Sequence, residues 1–498
     1  MTVFPITRVV LAGGLLLAGC AVGPDFSRPA APDPDRYTPA PMPAQTVSAP
    51  GPEGAAQTLS PGADIPAQWW SLFRSPELDA LIKQAIANSP NLASASAALR
   101  AAQEDVIVAR AAYFPSVSAA LGDSRERVSP IASGLPPSLT EELNVAQAAL
   151  NASYTVDLFG ATRRAVEGAK AQSDYYDFEL EAAYLTLTSN IVNAAIKEAS
   201  LRAQIEATES VLSDQNHALD LFRRQFEFGA VPRTTLLSQQ ALVAATQATL
   251  PGLQKQLAQN RHLLSVLAGQ LPSDPGIPEF TLATLNLPTD VPLSMPSQLV
   301  RQRPDVRASE ALLHVASAQI GVATAALYPQ LTLTGQYGSE ALRAYDLFKG
   351  PATIWTIGAG LTQPLFNAGE LRAKRRGAID AYDEAKAQYQ QAVLTAFENV
   401  ADSLRALDTD AEALKAIAES ESVAHQALDL SQSQYKFGAV SFVQLLQVET
   451  QYQQARVNLA QAQATRLADT AALFQSMGGG WWNRVEPIAD ADNPSLTN

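Results

Sequence analysis

The chain has 498 residues, a net charge of −14 at pH 7 and one cysteine. That length predicts more than one domain, the acidic balance with no basic patch excludes nucleic acid as a partner, and a lone cysteine excludes a disulfide framework. Aromatic residues make up only 7% of the chain while Ala, Gln and Leu dominate its middle, a mix that favours long helices with narrow apolar seams over a thick core.

At the N-terminus, Arg8 precedes an apolar run over 9–18 and then Leu17-Ala18-Gly19-Cys20. Ten apolar residues are too few to span a bilayer and predict a signal peptide over 1–19. The four-residue ending resembles the bacterial lipobox, which implies cleavage before Cys20 and a covalent lipid on that residue; apart from that lipid, no cofactor is expected. Ala21 in place of Asp points to the outer membrane. More than one acyl chain gives stable anchoring. Residues 20–66, rich in Pro, Ala and Gly, predict an extended linker from that anchor.

Folded structure is expected from Trp69-Trp70-Ser71-Leu72-Phe73. Ser75-Pro76-Glu77 then predicts a helix start, with Ser as N-cap and Pro at the first helical position, running to about Arg110. A longer helix is predicted from about 161 to 228. The series Tyr184, Ile191, Glu198, Ile205, Leu212, Leu219, Phe226, interleaved with Leu180, Leu187, Ala194, Leu201 and Thr208, alternates spacings of four and three. That is the heptad signature of a left-handed coiled coil. A helix of this length spans on the order of 100 Å.

The chain then repeats itself. Residues 218–231 read ALDLFRRQFEFGAV and residues 427–440 read ALDLSQSQYKFGAV, an offset of 209. The shifted seam, Val393, Val400, Leu407, Leu414, Glu421, Leu428, Tyr435, keeps its register. A period this long is a duplicated half, not a solenoid repeat. Gly229 and Gly438 each predict a helix stop, with new helices near Pro232 and Ser441 returning to about Gly269 and Met477.

Before each long helix the pattern changes to period two. Leu331, Leu333, Gly335 and Tyr337 alternate with Thr332, Thr334 and Gln336; Trp355, Ile357, Ala359 and Leu361 alternate with Thr356, Gly358, Gly360 and Thr362. Such alternation predicts membrane-barrel strands. A weaker pair is predicted at 116–128 and 143–157, with loops near 130–137 and 338–351. No helical run of 18 apolar residues follows the signal, so any crossing must be by strands. Four strands cannot close a barrel, and their edges must be paired; a trimer would supply twelve.

The segments Trp69-Trp70 with Phe73 and Pro76-Glu77-Leu78, Tyr113-Phe114-Pro115, Asp157-Leu158-Phe159-Gly160, Arg301-Gln302-Arg303-Pro304-Asp305-Val306-Arg307, the run from Ala318-Gln319-Ile320-Gly321 to Tyr328-Pro329, Pro364-Leu365-Phe366-Asn367-Ala368-Gly369 and the two Phe-Gly-Ala-Val tips together resemble the outer-membrane efflux protein family. These are the TolC-like tunnels, and the match is to their NodT-type lipoprotein branch. The resemblance covers nearly all of the mature chain. It implies a mainly α fold with a membrane β-barrel: a homotrimer whose four strands per protomer form one twelve-stranded barrel above a twelve-helix tunnel. The expected organisation is a first repeat over 67–270 with a hairpin near 113–158, a connector over 271–296, a second repeat over 297–477 with a hairpin near 329–366, and a tail over 478–498. Connector and tail are expected in a belt around the tunnel.

The implied function is that of a passive exit duct for small molecules, carrying no enzyme activity. The implied partners are an inner-membrane transporter of the resistance-nodulation-division type and a periplasmic adaptor, a membrane fusion protein. The adaptor is expected to dock on Phe228, Gly229, Ala230, Val231 and on Phe437, Gly438, Ala439, Val440. Mapped by position, the periplasmic aperture falls at Val443, Gln444 and Gln447. Family members commonly carry Asp at the last two positions, so a neutral amide ring replaces a carboxylate ring and strong cation selectivity is not expected. Glu449, two residues beyond Gln447, is expected to point elsewhere. The Arg303, Asp305, Arg307 group is read as structural, at a helix start.

No catalytic constellation is visible. His217, His262, His314 and His425 sit singly, no metal spacing occurs, and Gly358-Ala359-Gly360 lacks the third glycine of a nucleotide loop. Two alternatives stay open on sequence: the duct of a type I protein-secretion system, and a lipid-anchored periplasmic helical scaffold, which would need no strands.

Overall fold

The computed structural model describes residues 21–485 except 33 and 129–140. The signal peptide, Cys20, the first strand loop and the end of the tail lie outside the described residues. The chain divides into two units: one takes residues up to Pro29, Ala98–Asp177 and Ala308–Tyr389, the other Ala30–Ala97, Phe178–Arg307 and residues from Gln390 onward.

The duplication holds residue for residue in the two long helices and their return helices. Helices α1 (Pro76–Asn88) and α2 (Pro90–Ala111) precede α3 (Ala161–Glu227, 67 residues) and α4 (Arg233–Leu267, 35 residues). After α5 (Pro296–Gln302) and α6 (Pro304–Ala325) come α7 (Glu370–Lys436, 67 residues) and α8 (Phe442–Ser476, 35 residues). Both ends of α3 and α4 map onto those of α7 and α8 at the spacing of 209 read in the sequence. The heptad seams are buried as their period requires: Ile191, Ala194 and Leu201 in α3, and Val400, Leu407 and Leu414 in α7. The charged seam residue Glu198 is fully buried, and it is held by Arg202 at 2.9 Å and Arg261 at 2.7 Å. Removing either arginine would leave a carboxylate in the seam short of a partner, the costly half of a buried ion pair.

The single helix expected from 75 to about 110 is two. Ser89 is extended (ψ 116°) because the following proline crowds the helical conformation of the residue before it. Ser89 then accepts from the Leu92 amide through its hydroxyl, so the break at α1 becomes a capped start for α2.

In the first unit, β2 (Ser116–Val128), β3 (Glu141–Val156), β5 (Gln330–Ala341) and β6 (Thr353–Thr362) form an antiparallel sheet in the order β2-β3-β5-β6. Strand β5 runs further than expected, into the region read as loop, since Gly338 and Ser339 still pair with Ile354 and Thr353. The register sorts the side chains. Leu150, Tyr337 and Trp355 lie in one cross-strand row, and Ala152, Gly335 and Ile357 in the next. The rows of the other face carry Asn151, Gln336 and Thr356, then Ser153, Thr334 and Gly358. Trp355, Ile357, Leu361, Leu121 and Tyr337 are all more than half exposed. An apolar sheet face bare of any covering layer is what a barrel wall offers to lipid. No helix among the described residues is long and apolar enough to cross a membrane.

The segment expected as an extended linker is instead packed. In the second unit, β1 (Thr58–Pro61) pairs in parallel with β4 (Asp290–Leu293), and Ile65 and Gln57 are fully buried. The composition is that of a linker, but a few side chains pin it: the Gln57 amide donates to Pro288 O and Thr470 Oγ1, both at 2.9 Å. In the first unit, Val22 N donates to Phe159 O, Arg164 binds Asp25 and Arg28 binds Glu310. Connector residues Phe280, Leu285 and Val291 are core residues of the second unit.

Candidate functional site

The two helix–helix turns share one closure. At the first, Ala230 N donates to Gln225 O at 2.8 Å and Gly229 N to Phe226 O at 2.9 Å; at the second, Ala439 N donates to Gln434 O at 2.9 Å and Gly438 N to Tyr435 O at 3.0 Å. This double bond pattern is the Schellman closure, and it needs a left-handed residue after the helix. Gly229 (φ 71°) and Gly438 (φ 72°) supply it. The closure satisfies the last carbonyls and leaves Phe228 and Phe437 outside the turn, each 86% exposed. The return helices differ: Ser441 caps α8 by accepting from Gln444 N, while Pro232 starts α4 with no side-chain cap.

Val443, Gln444 and Gln447 are all exposed and lie on one side of α8, whereas Leu445 and Glu449 on the other side are buried. The spacing of three and four keeps 443, 444 and 447 on a common face. That face carries no ionisable group at these positions. The tip eight sequence positions and the aperture three thus fall into adjacent surfaces of the same helical end, one made of turns and the other of the first two turns of α8.

Behind that face is a small core that the sequence pattern did not single out. Phe222, Leu428 and Leu445 are buried together, with Tyr435, Phe442, Val448 and Tyr452 packed on them. Phe222 stands edge-on to Phe442 (ring centroids 4.6 Å) and to Tyr435 (5.6 Å), a preferred aromatic geometry. Phe222 corresponds to Ser431 at the offset of 209, so self-comparison gives no signal for it. Glu449 does point away from Gln447, as expected, but into this core. A Glu in the apolar series Leu445, Glu449, Tyr452 was the available signal.

The Arg303 group is structural, as read. Arg303 ends α5 and binds Asp305 of the first turn of α6 through two bonds of 2.9 and 2.6 Å, while its third nitrogen donates to Ser476 O. Arg307 lies over the Phe178 ring at 4.7 Å. His314 is not solitary: it stacks on Phe26 (4.1 Å) and bonds Glu167 at 2.9 Å. His425 packs on Tyr452 (5.1 Å). Among the described residues no group of three or more His, Cys, Asp or Glu is placed to hold a metal ion.

Comparison with known proteins agrees with this architecture. The family model for outer membrane efflux protein matches residues 81–270 and 295–479, the two repeats. The pyoverdine export outer membrane protein OpmQ of Pseudomonas aeruginosa is 32% identical over 428 residues, which are 85% of this chain and 90% of that one. Nodulation protein T of Rhizobium leguminosarum bv. trifolii is 27% identical over 484 residues, 96% and 97% of the two chains. Among solved structures, the outer-membrane channel OprN superposes with a TM-score of 0.84 at 27% identity, covering 93% of this chain and all of that one. With matched models over both repeats and relatives aligned nearly end to end, the chain belongs to the outer membrane efflux protein family and has the TolC-like fold of its NodT-type branch.

Proposed function

We propose that the protein is the outer-membrane exit duct of a tripartite efflux pump, passing small molecules from the periplasm to the exterior. The observation that carries this is the combination in one chain of a four-stranded sheet, apolar on one face and polar on the other, with duplicated 67-residue helices. The strands are what a periplasmic scaffold would not need. The sheet ends in two unpaired edges, β2 and β6, and such edges must be joined in a membrane. A homotrimer joins them and gives twelve strands. Relatives named for pyoverdine export and for toluene efflux support efflux over protein secretion.

In this reading the tips at 228–231 and 437–440 receive the periplasmic adaptor, an inner-membrane transporter of the resistance-nodulation-division type supplies the energy, and Val443, Gln444 and Gln447 line the aperture. A lipid on Cys20 anchors the N-terminus in the outer membrane. The test is the native mass of the purified protein in detergent. Three copies, each with the mass of a chain beginning at Cys20 plus its acyl groups, is the expected result. A monomer, or a trimer without acyl mass, would remove the assembly or the anchor from this account respectively.

A further inference from the structure

Between α3, α7 and α8, on the aromatic core of the helical end, lies an open groove of about 420 Å³. Its floor is apolar and buried: Phe222, Leu428 and Leu445. Glu449 lines the same groove, is 7% exposed, and its Oε2 has no hydrogen-bond partner. A carboxyl oxygen buried without a donor is an expense that a folded protein rarely keeps without use. The mouth is charged, with exposed Asp214 and His217 from α3 and exposed His425, Asp429 and Lys436 from α7. Tyr452 supplies an aromatic wall.

We propose that this groove is a binding site for a hydrophobic ammonium, a small organic cation whose protonated amine is held by Glu449 Oε2 and whose ring system lies on the Phe222 and Tyr452 side of the groove. Three carboxyl groups against one ammonium, that of Lys436, repel an anion. The aromatic walls and apolar floor favour a cation that carries its own hydrophobic body. The lack of a three-ligand cluster among the described residues speaks against a bare metal ion. The volume suits one molecule with a fused ring system, and the open mouth lets it enter without unfolding the helical end.

Protons compete for the site. Burial, with Asp214 adding to it, pushes the Glu449 carboxyl up to about 7. The other ionisable groups that face it are Asp214 and His217 on α3 and Glu421, His425 and Asp429 on α7. Lys436 lines the mouth, and Arg456 is occupied by Ser210 Oγ at 2.9 Å and by the Tyr452 ring. The site therefore holds its cation best above neutrality and releases it toward acid.

The test is a fluorescence titration of the full-length protein in detergent with 1-naphthylmethylamine, against its neutral counterpart 1-naphthalenemethanol. At about pH 8 the amine, a cation like lysine, binds roughly tenfold or more tightly than the alcohol, the worth of one charge-assisted bond. Glu449→Gln removes that preference, Asp429→Asn at the exposed mouth weakens it about twofold to threefold, and about pH 5.5 lowers amine affinity while leaving the alcohol unchanged. Asp429→Asn keeps the proposal falsifiable should Glu449→Gln misfold. Equal affinity for amine and alcohol, or an amine preference untouched in both variants, would overturn it. No pump or gradient enters the measurement, so failure of the exit-duct reading would leave its outcome intact.

Discussion

Arg466 Nη2 donates to Gln57 Oε1 at 3.1 Å, joining two side chains that are 1% and 0% exposed and lie 409 positions apart. The same guanidinium donates to the carbonyls of Glu53 (2.7 Å) and Ala55 (3.1 Å) and to Thr46 Oγ1. One arginine of α8 thus replaces the neighbouring strand that residues 46–57 lack. Arg466→Ala should cost about 3 kcal/mol, because buried carbonyls lose their donor and a cavity opens. The melting temperature should fall, and limited proteolysis should begin within 46–57. An unchanged cleavage pattern would show that the pairing of β1 with β4 alone holds the segment.

Asp469, three residues on, lies beside Asp410. Burial, the hydrogen bond with Asp410 and its charge all raise the Asp469 carboxyl above its ordinary range, and its Oδ2 has no partner. A raised carboxyl favours the folded state when protonated. The contribution is complete below the ordinary Asp value of about 4 and is lost progressively as pH climbs through the raised one. Asp469→Asn should therefore melt higher than the natural protein in mildly alkaline buffer and show no advantage in acid. An advantage that grows toward acid would reverse the sign of this argument.

The sheet makes a paired prediction. Trp355 and Thr356 are neighbours on β6 but point to opposite faces, Trp355 into the apolar row with Tyr337 and Leu150, Thr356 beside Gln336 and Asn151. Trp355→Lys should cost about 2–4 kcal/mol if its face meets the bilayer interior, while a lysine at 356 on the polar side costs little. The yield of membrane-inserted trimer after heating in detergent distinguishes them. Equal loss from both variants would mean that the polar face is not water-lined.

At the tips, an added Cβ on Gly438 meets nothing within 4 Å, so only the left-handed backbone opposes a side chain there. Gly438→Ala should cost about 1 kcal/mol. Phe437→Ala removes a ring that is 86% exposed and should leave stability unchanged while lowering adaptor affinity in a binding titration. Stability loss from Phe437→Ala would place the ring in the protein's own packing.

The helices were legible in the sequence because three signals coincided there: the heptad seams, the terminal glycines and the repeat at 209. The strands were legible where both faces alternate, as in β5 and β6, and less so in β2 and β3, where Ala119, Ala148 and Ala152 blur the contrast. The segment 21–66 was misread because its order comes from Gln57, Ile65 and Arg466, contacts far apart in sequence that leave no local pattern. Glu449 was visible but was set aside by its angle from Gln447. It lines a groove whose floor includes Phe222 from the other repeat, a neighbour no single-helix argument contains.

A gated duct whose narrowest point lies at the start of α8 should show itself in single-channel conductance of the purified mature protein in a planar bilayer. Small discrete steps with weak cation preference are expected, growing when Gln444 or Gln447 is shortened to Ala. Steps of unchanged size in both variants would contradict the placement of the aperture, and failure of the protein to insert at all would contradict the duct.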